Sequence, residues 1–160
     1  MERVKEMVSI IDKLNTSEVH AKRVSCRANS PIFSEMDAPR GMYVIESGEV
    51  RILKRIPDTN KEIDLATFGP NEFFGEMSLL TGRPHSANAV AITDCTLWFL
   101  DEKGLMEALN KSPEFSLMML KGLAKRLTDM NEKTRDIFSQ LKDFSERLED
   151  LSALRHAIVP

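Results

Sequence analysis

At Ser112 the hydrophobic pattern of this chain passes into one long helical repeat, and that change restricts the fold more than any other feature. Between residues 42 and 100 the apolar residues come in short runs, MYVIES, EVRILKRI, EIDLATF, ANAVAIT and CTLWFL, separated by turn clusters such as PDTN. Val50 and Ile52 alternate with Glu49 and Arg51, and Ile63 and Leu65 with Glu62 and Asp64. That two-residue period belongs to half-buried strands with one face on a core. Short strands at regular intervals predict a sandwich or an antiparallel jelly roll, so the fold class is mainly β, with short flanking helices and one long helix behind it. Ser112, Pro113 and Glu114 open the long helix. They supply a capping hydroxyl, a proline whose missing amide costs nothing at the first position, and an acid near the positive helix end. No proline follows before Pro160.

Beyond that start the apolar residues recur at alternating steps of three and four: Leu120, Leu123, Leu127, Met130, Thr134, Ile137, Leu141, Phe144, Leu148 and Leu151. This is a heptad seam with Thr134 as its single polar member. A helix that folds back on its own sandwich shows a wider apolar face, so the narrow stripe predicts a coiled coil between two copies. Arg126, Lys133 and Arg147 flank the seam without acids in the matching places, so charge does not select a different partner and a homodimer is the simplest pairing. At the other end Val4, Met7, Val8, Ile11 and Leu14 make one face of a short helix. The expected organisation is an N-terminal helix over residues 1–18, a β-roll over 19–111 that closes with the helix EKGLMEALN opened by Asp101, and the dimerisation helix over 112–156.

Composition removes several functions. The chain has 160 residues, of which 42% are hydrophobic, enough for one real core, and its net charge of −3 offers no basic field to attract nucleic acid. No apolar run approaches a membrane span, and MERVKEMVSIIDKLN has charges throughout rather than a signal-peptide core, so a cytoplasmic location without membrane partners is expected. Cys26 and Cys95 are too few and too far apart in sequence to suggest a disulfide framework or a metal motif. Cys95, in an apolar strand beside Trp98, reads as a reduced buried thiol. His20, His85 and His156 are scattered, and neither a nucleophile elbow nor a carboxylate pair is visible. Neither catalysis, nor a cofactor, nor a metal site is expected.

The stretch from Phe73 to Ala91, FFGEMSLLTGRPHSANAVA, carries the functional signal. Gly75 lacks a side chain, so its amide and those of Glu76, Met77 and Ser78 can face an anion at the start of a helical turn that reaches Leu80. Glu76 cannot serve that anion, because like charges repel; a carboxylate beside such a cradle suits the donating hydroxyls of a ribose. Pro84 fixes the exit from the turn at Gly82, and Ser86 with Ala87 adds a hydroxyl and close-packed amides on the far side. The glycines alone also suit an ordinary loop between two strands.

In order and spacing this stretch resembles the phosphate-binding cassette of the cyclic nucleotide-binding domain family. Asp37, the segment GMYVIESGEVRILKR and the run FGPNEFFGE match the family's earlier strands in order, so the resemblance covers about residues 30 to 130. It implies a receptor for cAMP or cGMP, with the ribose on Glu76, the phosphate among Gly75, Met77, Ser78, Ser86 and Ala87, and Ile52, Leu65 and Phe74 as apolar walls. One departure stands out. The family places an Arg after the cassette proline, and here that residue is His85, which titrates near neutrality. A charge-assisted hydrogen bond is worth roughly 1.5–3 kcal/mol, so its loss weakens a cyclic nucleotide about ten- to a hundredfold unless Arg83 substitutes. Met36 stands where the family usually has Gly, which bears on loop shape.

The resemblance also implies that the long helix closes over the base, at the turn that here carries Arg126 and Asn131. Bacterial relatives continue into a helix-turn-helix domain, and SERLEDLSALRHAIVP holds no such pair of helices, so an unknown protein partner rather than DNA is the expected recipient of the signal. Two other readings stay open: a degenerate, non-binding domain on a coiled-coil scaffold, and a haem or redox sensor drawing on His20, Cys26 and His85.

Overall fold

The structure is a computed structural model that describes residues 6–15 and 19–158. Val4 and the rest of the expected segment 1–18 beyond Glu6–Asn15 lie outside the described residues. The chain divides into two compact units, Met1–Met118 and Met119–Pro160.

In the first unit α1 (Glu6–Asn15) precedes eight strands: β1 (Ala21–Cys26), β2 (Pro31–Phe33), β3 (Met42–Ser47), β4 (Val50–Arg55), β5 (Glu62–Phe68), β6 (Phe73–Phe74), β7 (Asn88–Ala91) and β8 (Cys95–Leu100). They form two antiparallel four-stranded sheets, ordered β1-β8-β3-β6 and β2-β7-β4-β5. The inner faces meet in one cluster, to which the first sheet contributes Ile45, Phe74, Cys95 and Leu97 and the second Val50, Ala89 and Ala91. Each fully buried large apolar side chain there stabilises the fold by about 1.5–3 kcal/mol. The tiny residues of β7 let the second sheet come close to Phe74.

The first sheet is covered on both sides. Met42 pairs with Leu100 and Val44 with Trp98, all four buried on the outer face, while Ile45 and Leu97 point inward. The helix α1 packs on β3 and α3 (Glu102–Lys111) on β8, with Met7, Ile11, Leu105 and Ala108 buried. Two buried faces explain why MYVIES and CTLWFL are nearly continuous in apolar residues.

The second sheet departs from the expected half-buried alternation. Ile63 and Leu65 are 50% and 43% exposed. The register of β4 and β5 steps from Ile52 opposite Ala66 to Leu53 opposite Asp64, so Leu65 is the extra residue of a bulge. β5 is moreover an edge strand.

Capping side chains fix the way out of the roll. The Asp101 carboxylate accepts from Gly104 N at 2.8 Å, and Ser112 Oγ accepts from Phe115 N at 3.1 Å while donating to Glu114 Oε2 at 3.1 Å. The helix α4 (Pro113–Ile158) then runs for 46 residues, about 69 Å at 1.5 Å per residue. Along it Leu120, Leu127, Met130, Ile137, Leu141, Phe144, Leu148 and Leu151 are exposed, as is Phe138 beside the seam. Leu123 is half-buried, and Thr134 Oγ1 donates to Met130 O at 2.8 Å. Among the described residues, no helix is long and apolar enough to cross a membrane.

Candidate functional site

The cassette is organised by two left-handed glycines. Strand β6 delivers the chain to Gly75 at φ +80°, from which α2 (Glu76–Thr81) departs with no side chain capping its first turn; Gly82 at φ +67° ends it. A Cβ on Gly75 would lie 3.3 Å from the Gly41 carbonyl oxygen and 3.4 Å from the Phe33 ring, so this backbone is held close to its neighbours. At Gly82 nothing lies within 4 Å. Gly75 is therefore favoured by space and by conformation, Gly82 by conformation alone.

Phe74 anchors the entry to the turn. Its ring is stacked on Tyr43 at 5.2 Å and tilted against Phe33 at 5.9 Å, and Ile52 packs on the same inner cluster. Of the residues expected to meet a ligand, Glu76, Ser78, His85 and Ala87 are buried, Gly75 and Ile52 half-buried, and Leu65, Met77, Arg83 and Ser86 exposed. Glu76 is only 1% exposed. On α4, described by itself, Arg126 is half-buried and Asn131 exposed.

His85 occupies a different environment from the one its residue type suggests. It is 4% exposed, with its ring lying flat on Phe33 at 3.7 Å between centroids and 7° between planes. Burial lowers its pKa from the ordinary 6.5, against the opposing pull of the Asp37 charge, so the imidazole is neutral at physiological pH rather than a waiting cation. The backbone holds it in place: His85 N donates to Asp37 O at 3.0 Å, and His85 O accepts from Met36 N at 2.8 Å. Asp37 in turn accepts from Ser34 N at 2.8 Å through its side chain. Met36 takes φ +71° in this turn, a conformation that a Gly adopts without strain.

A cavity of about 280 Å³ adjoins this stack, lined by Phe33, Asp37, Arg40, Gly41, Tyr43 and His85 among others. His85 is the one expected ligand residue on its wall. Phe33 and Arg40 were missed by sequence reasoning; Arg40 carried a signal, since it sits in the Pro39-Arg40-Gly41 turn just before the segment that bears the resemblance. The residues weighed for an iron site are not gathered. His20 Nδ1 lies 3.1 Å from Glu107 Oε2, His85 stacks on Phe33, and Cys26 faces Cys95 across a strand pair. Among the described residues, no group of three or more His, Cys, Asp or Glu is placed to hold a metal ion.

Comparison with known proteins follows the same stretch of chain. A family model described as the cyclic nucleotide-binding domain matches residues 23–112. The CRP-like cAMP-activated global transcriptional regulator of Mycobacterium tuberculosis is 32% identical over 106 residues, which are 66% of this chain and 47% of that protein. The global nitrogen regulator of a Nostoc species is 35% identical over 123 residues, 72% of this chain and 55% of that one. The crystal structure of the Thermus thermophilus catabolite activator protein matches with a TM-score of 0.69 at 29% identity, over 86% of this chain and 61% of that chain. The chain thus spans about half the length of the curated relatives it matches.

Proposed function

The chain belongs to the cyclic nucleotide-binding domain family, and on that premise we propose that it is a dimeric, non-enzymatic receptor for a purine 3′,5′-cyclic monophosphate, cAMP before cGMP. The observation that carries this reading is Gly75: a left-handed residue in a tight slot, opening a helical turn that no side chain caps, in the stretch that resembles the family's cassette and lies inside the matched residues. The phosphate would lie against the amides of Gly75, Met77 and Ser78 and the Ser86–Ala87 strand entry, with the ribose on Glu76 and the base against Ile52, Leu65 and Phe74. Arg83, exposed on the loop, is the substitute cation for the neutral His85. Arg126 and Asn131 belong to the proposal on the strength of the resemblance.

The output is a change in the pairing of α4 with a second copy, passed to a protein partner. Support comes from the exposed leucine seam, since a lone helix with such a stripe lowers its free energy by burying it. A net charge of −3 favours a protein over nucleic acid as recipient.

A second reading has its own observation. Glu76 and His85 are both buried, which suits a degenerate pocket on a coiled-coil scaffold. Calorimetry with cAMP and cGMP separates the two. The receptor gives saturable heat that Glu76→Gln weakens about five- to thirtyfold, as expected when a charged acceptor becomes a neutral one; absence of heat at millimolar ligand leaves only the scaffold.

A further inference from the structure

Two cysteines separated in sequence meet in the sheet. Strands β1 and β8 are antiparallel, and Cys26, the last residue of β1, lies directly opposite Cys95, the first of β8. Opposed residues of an antiparallel pair share a face with Cα atoms about 4.5–5.5 Å apart, within the roughly 4.4–6.8 Å that a disulfide spans. Packing independently places them on one face: Cys95 is a member of the inner cluster, and Cys26 packs against that cluster. Both are free thiols. Cys26 is half-buried and within reach of a small reagent, whereas Cys95 is 3% exposed. The pair also sits at the end of the β1–β8 ladder, just before Ala28 N donates to Asp94 Oδ1 at 2.8 Å.

We propose that Cys26 and Cys95 are an oxidation-sensitive pair that closes to an intramolecular disulfide in the presence of a peroxide or a low-molecular-weight disulfide. With hydrogen peroxide, the Cys26 thiolate attacks one oxygen, the O–O bond breaks and hydroxide leaves, giving a sulfenic acid at Cys26. The Cys95 thiolate then attacks that sulfur and expels hydroxide, so two thiols and one peroxide become one disulfide and two waters. With oxidised glutathione the same two attacks release two glutathione thiols. Burial, and next the neighbouring Cys95, push the Cys26 thiol above its ordinary pKa, so attack is slow at neutral pH and the pair responds to sustained oxidation. Bridging takes the Cys95 thiol from the carbonyls of Glu49 and Thr93, which it now reaches at 3.4 and 3.2 Å. Oxidation therefore ties β1 to β8 and at the same time loosens the turn between β3 and β4.

The test treats the full chain with hydrogen peroxide or oxidised glutathione at mildly alkaline pH, followed by intact-mass analysis, peptide mapping and thermal unfolding. The expected product has lost both thiols and two hydrogens, links the Cys26 and Cys95 peptides at any protein concentration, and reverts with dithiothreitol. Its melting temperature rises by something on the order of 10 °C, as a bridge across so long a loop implies. Cys26→Ala leaves Cys95 unreacted, which keeps the test decisive even where a Cys95 variant fails to fold. Two separate glutathione adducts, links only between chains, or thiols that survive in the folded chain but react in urea each overturn the proposal.

Discussion

Gly75 and Gly82 form an internally controlled experiment. Both are left-handed, so an alanine at either position carries the steric cost of an L residue there, about 1–2 kcal/mol. The loss of unfolded-chain freedom offsets roughly 0.4–1 kcal/mol of that cost, leaving Gly82→Ala about 1 kcal/mol less stable. Gly75→Ala adds a collision. Its methyl would lie 3.3 Å from the Gly41 carbonyl oxygen, tighter than about nine in ten real Cβ contacts, and 3.4 Å from Phe33, at the edge of ordinary contact; neither neighbour yields easily because one is backbone and the other is stacked on His85. Overpacking of this kind costs a further 1–3 kcal/mol or so. For a chain of this length about 1 kcal/mol lowers Tm by about 2–4 °C, so thermal unfolding followed by circular dichroism should show a fall of a few degrees for Gly82→Ala and roughly 10 °C for Gly75→Ala. Equal falls would refute the tight-slot argument. Calorimetry with cAMP then asks the functional question: Gly82→Ala should keep its affinity and Gly75→Ala lose it, and a Gly75→Ala chain that binds normally removes the amide cradle from the proposal.

Three further outcomes follow. Because burial holds the folded pKa of His85 below its unfolded value, the unfolded chain takes up the proton first; stability is present above about 6.5 and is lost as pH falls through that value toward the folded pKa, so the urea midpoint should drop there in the wild type and less in His85→Phe, and identical pH profiles would count against the buried neutral ring. Ser112→Ala removes the acceptor of Phe115 N and should cost about 1 kcal/mol, read as a Tm lower by about 2–4 °C; an unchanged Tm means that the cap contributes nothing. Leu127→Lys with Leu141→Lys should convert a dimer to a monomer in sedimentation equilibrium, and a wild type that is monomeric at every concentration refutes the pairing of α4.

What could be read from the sequence depended on how local the cause was. The bounds of β3, β5 and β8 coincide with MYVIES, EIDLATF and CTLWFL, because each is a run of strand-forming residues between turn residues. The caps at Asp101 and Ser112 were legible for the same reason: donor and acceptor lie three residues apart. β1 was missed because AKRVSC is mostly exposed and shows no alternation, β2 because it is three residues long and begins with Pro31, and β6 because its two residues are part of the cassette run. The misjudged exposure of Ile63 and Leu65 came from the bulge and the edge position, which only pairing with β4 reveals. The ring on which His85 lies belongs to Phe33, a strand away, so the residue type suggested a cation where packing makes a neutral plate. Cys26 and Cys95 were set aside for their distance in sequence, and it is the sheet register that brings them together.

The closed arrangement around His85 sets a cost for any ligand that would use its imidazole. A stacked aromatic pair is worth about 0.5–1.5 kcal/mol beyond the area it buries, and any ligand that needs the imidazole turned toward a phosphate must overcome that and the cost of protonating it. If the closed form is favoured by about 1.4 kcal/mol, the apparent affinity is reduced about tenfold, on top of the loss of the guanidinium. The backbone of His85 is bonded to both Met36 and Asp37, and His85, Asp37 and Arg40 line one cavity. A phosphate held by the exposed Arg83, as proposed above, leaves this arrangement in place. His85→Phe separates the two routes: unchanged affinity for cAMP is expected where Arg83 is the cation, and a loss of affinity in a variant that folds would show that the imidazole takes part.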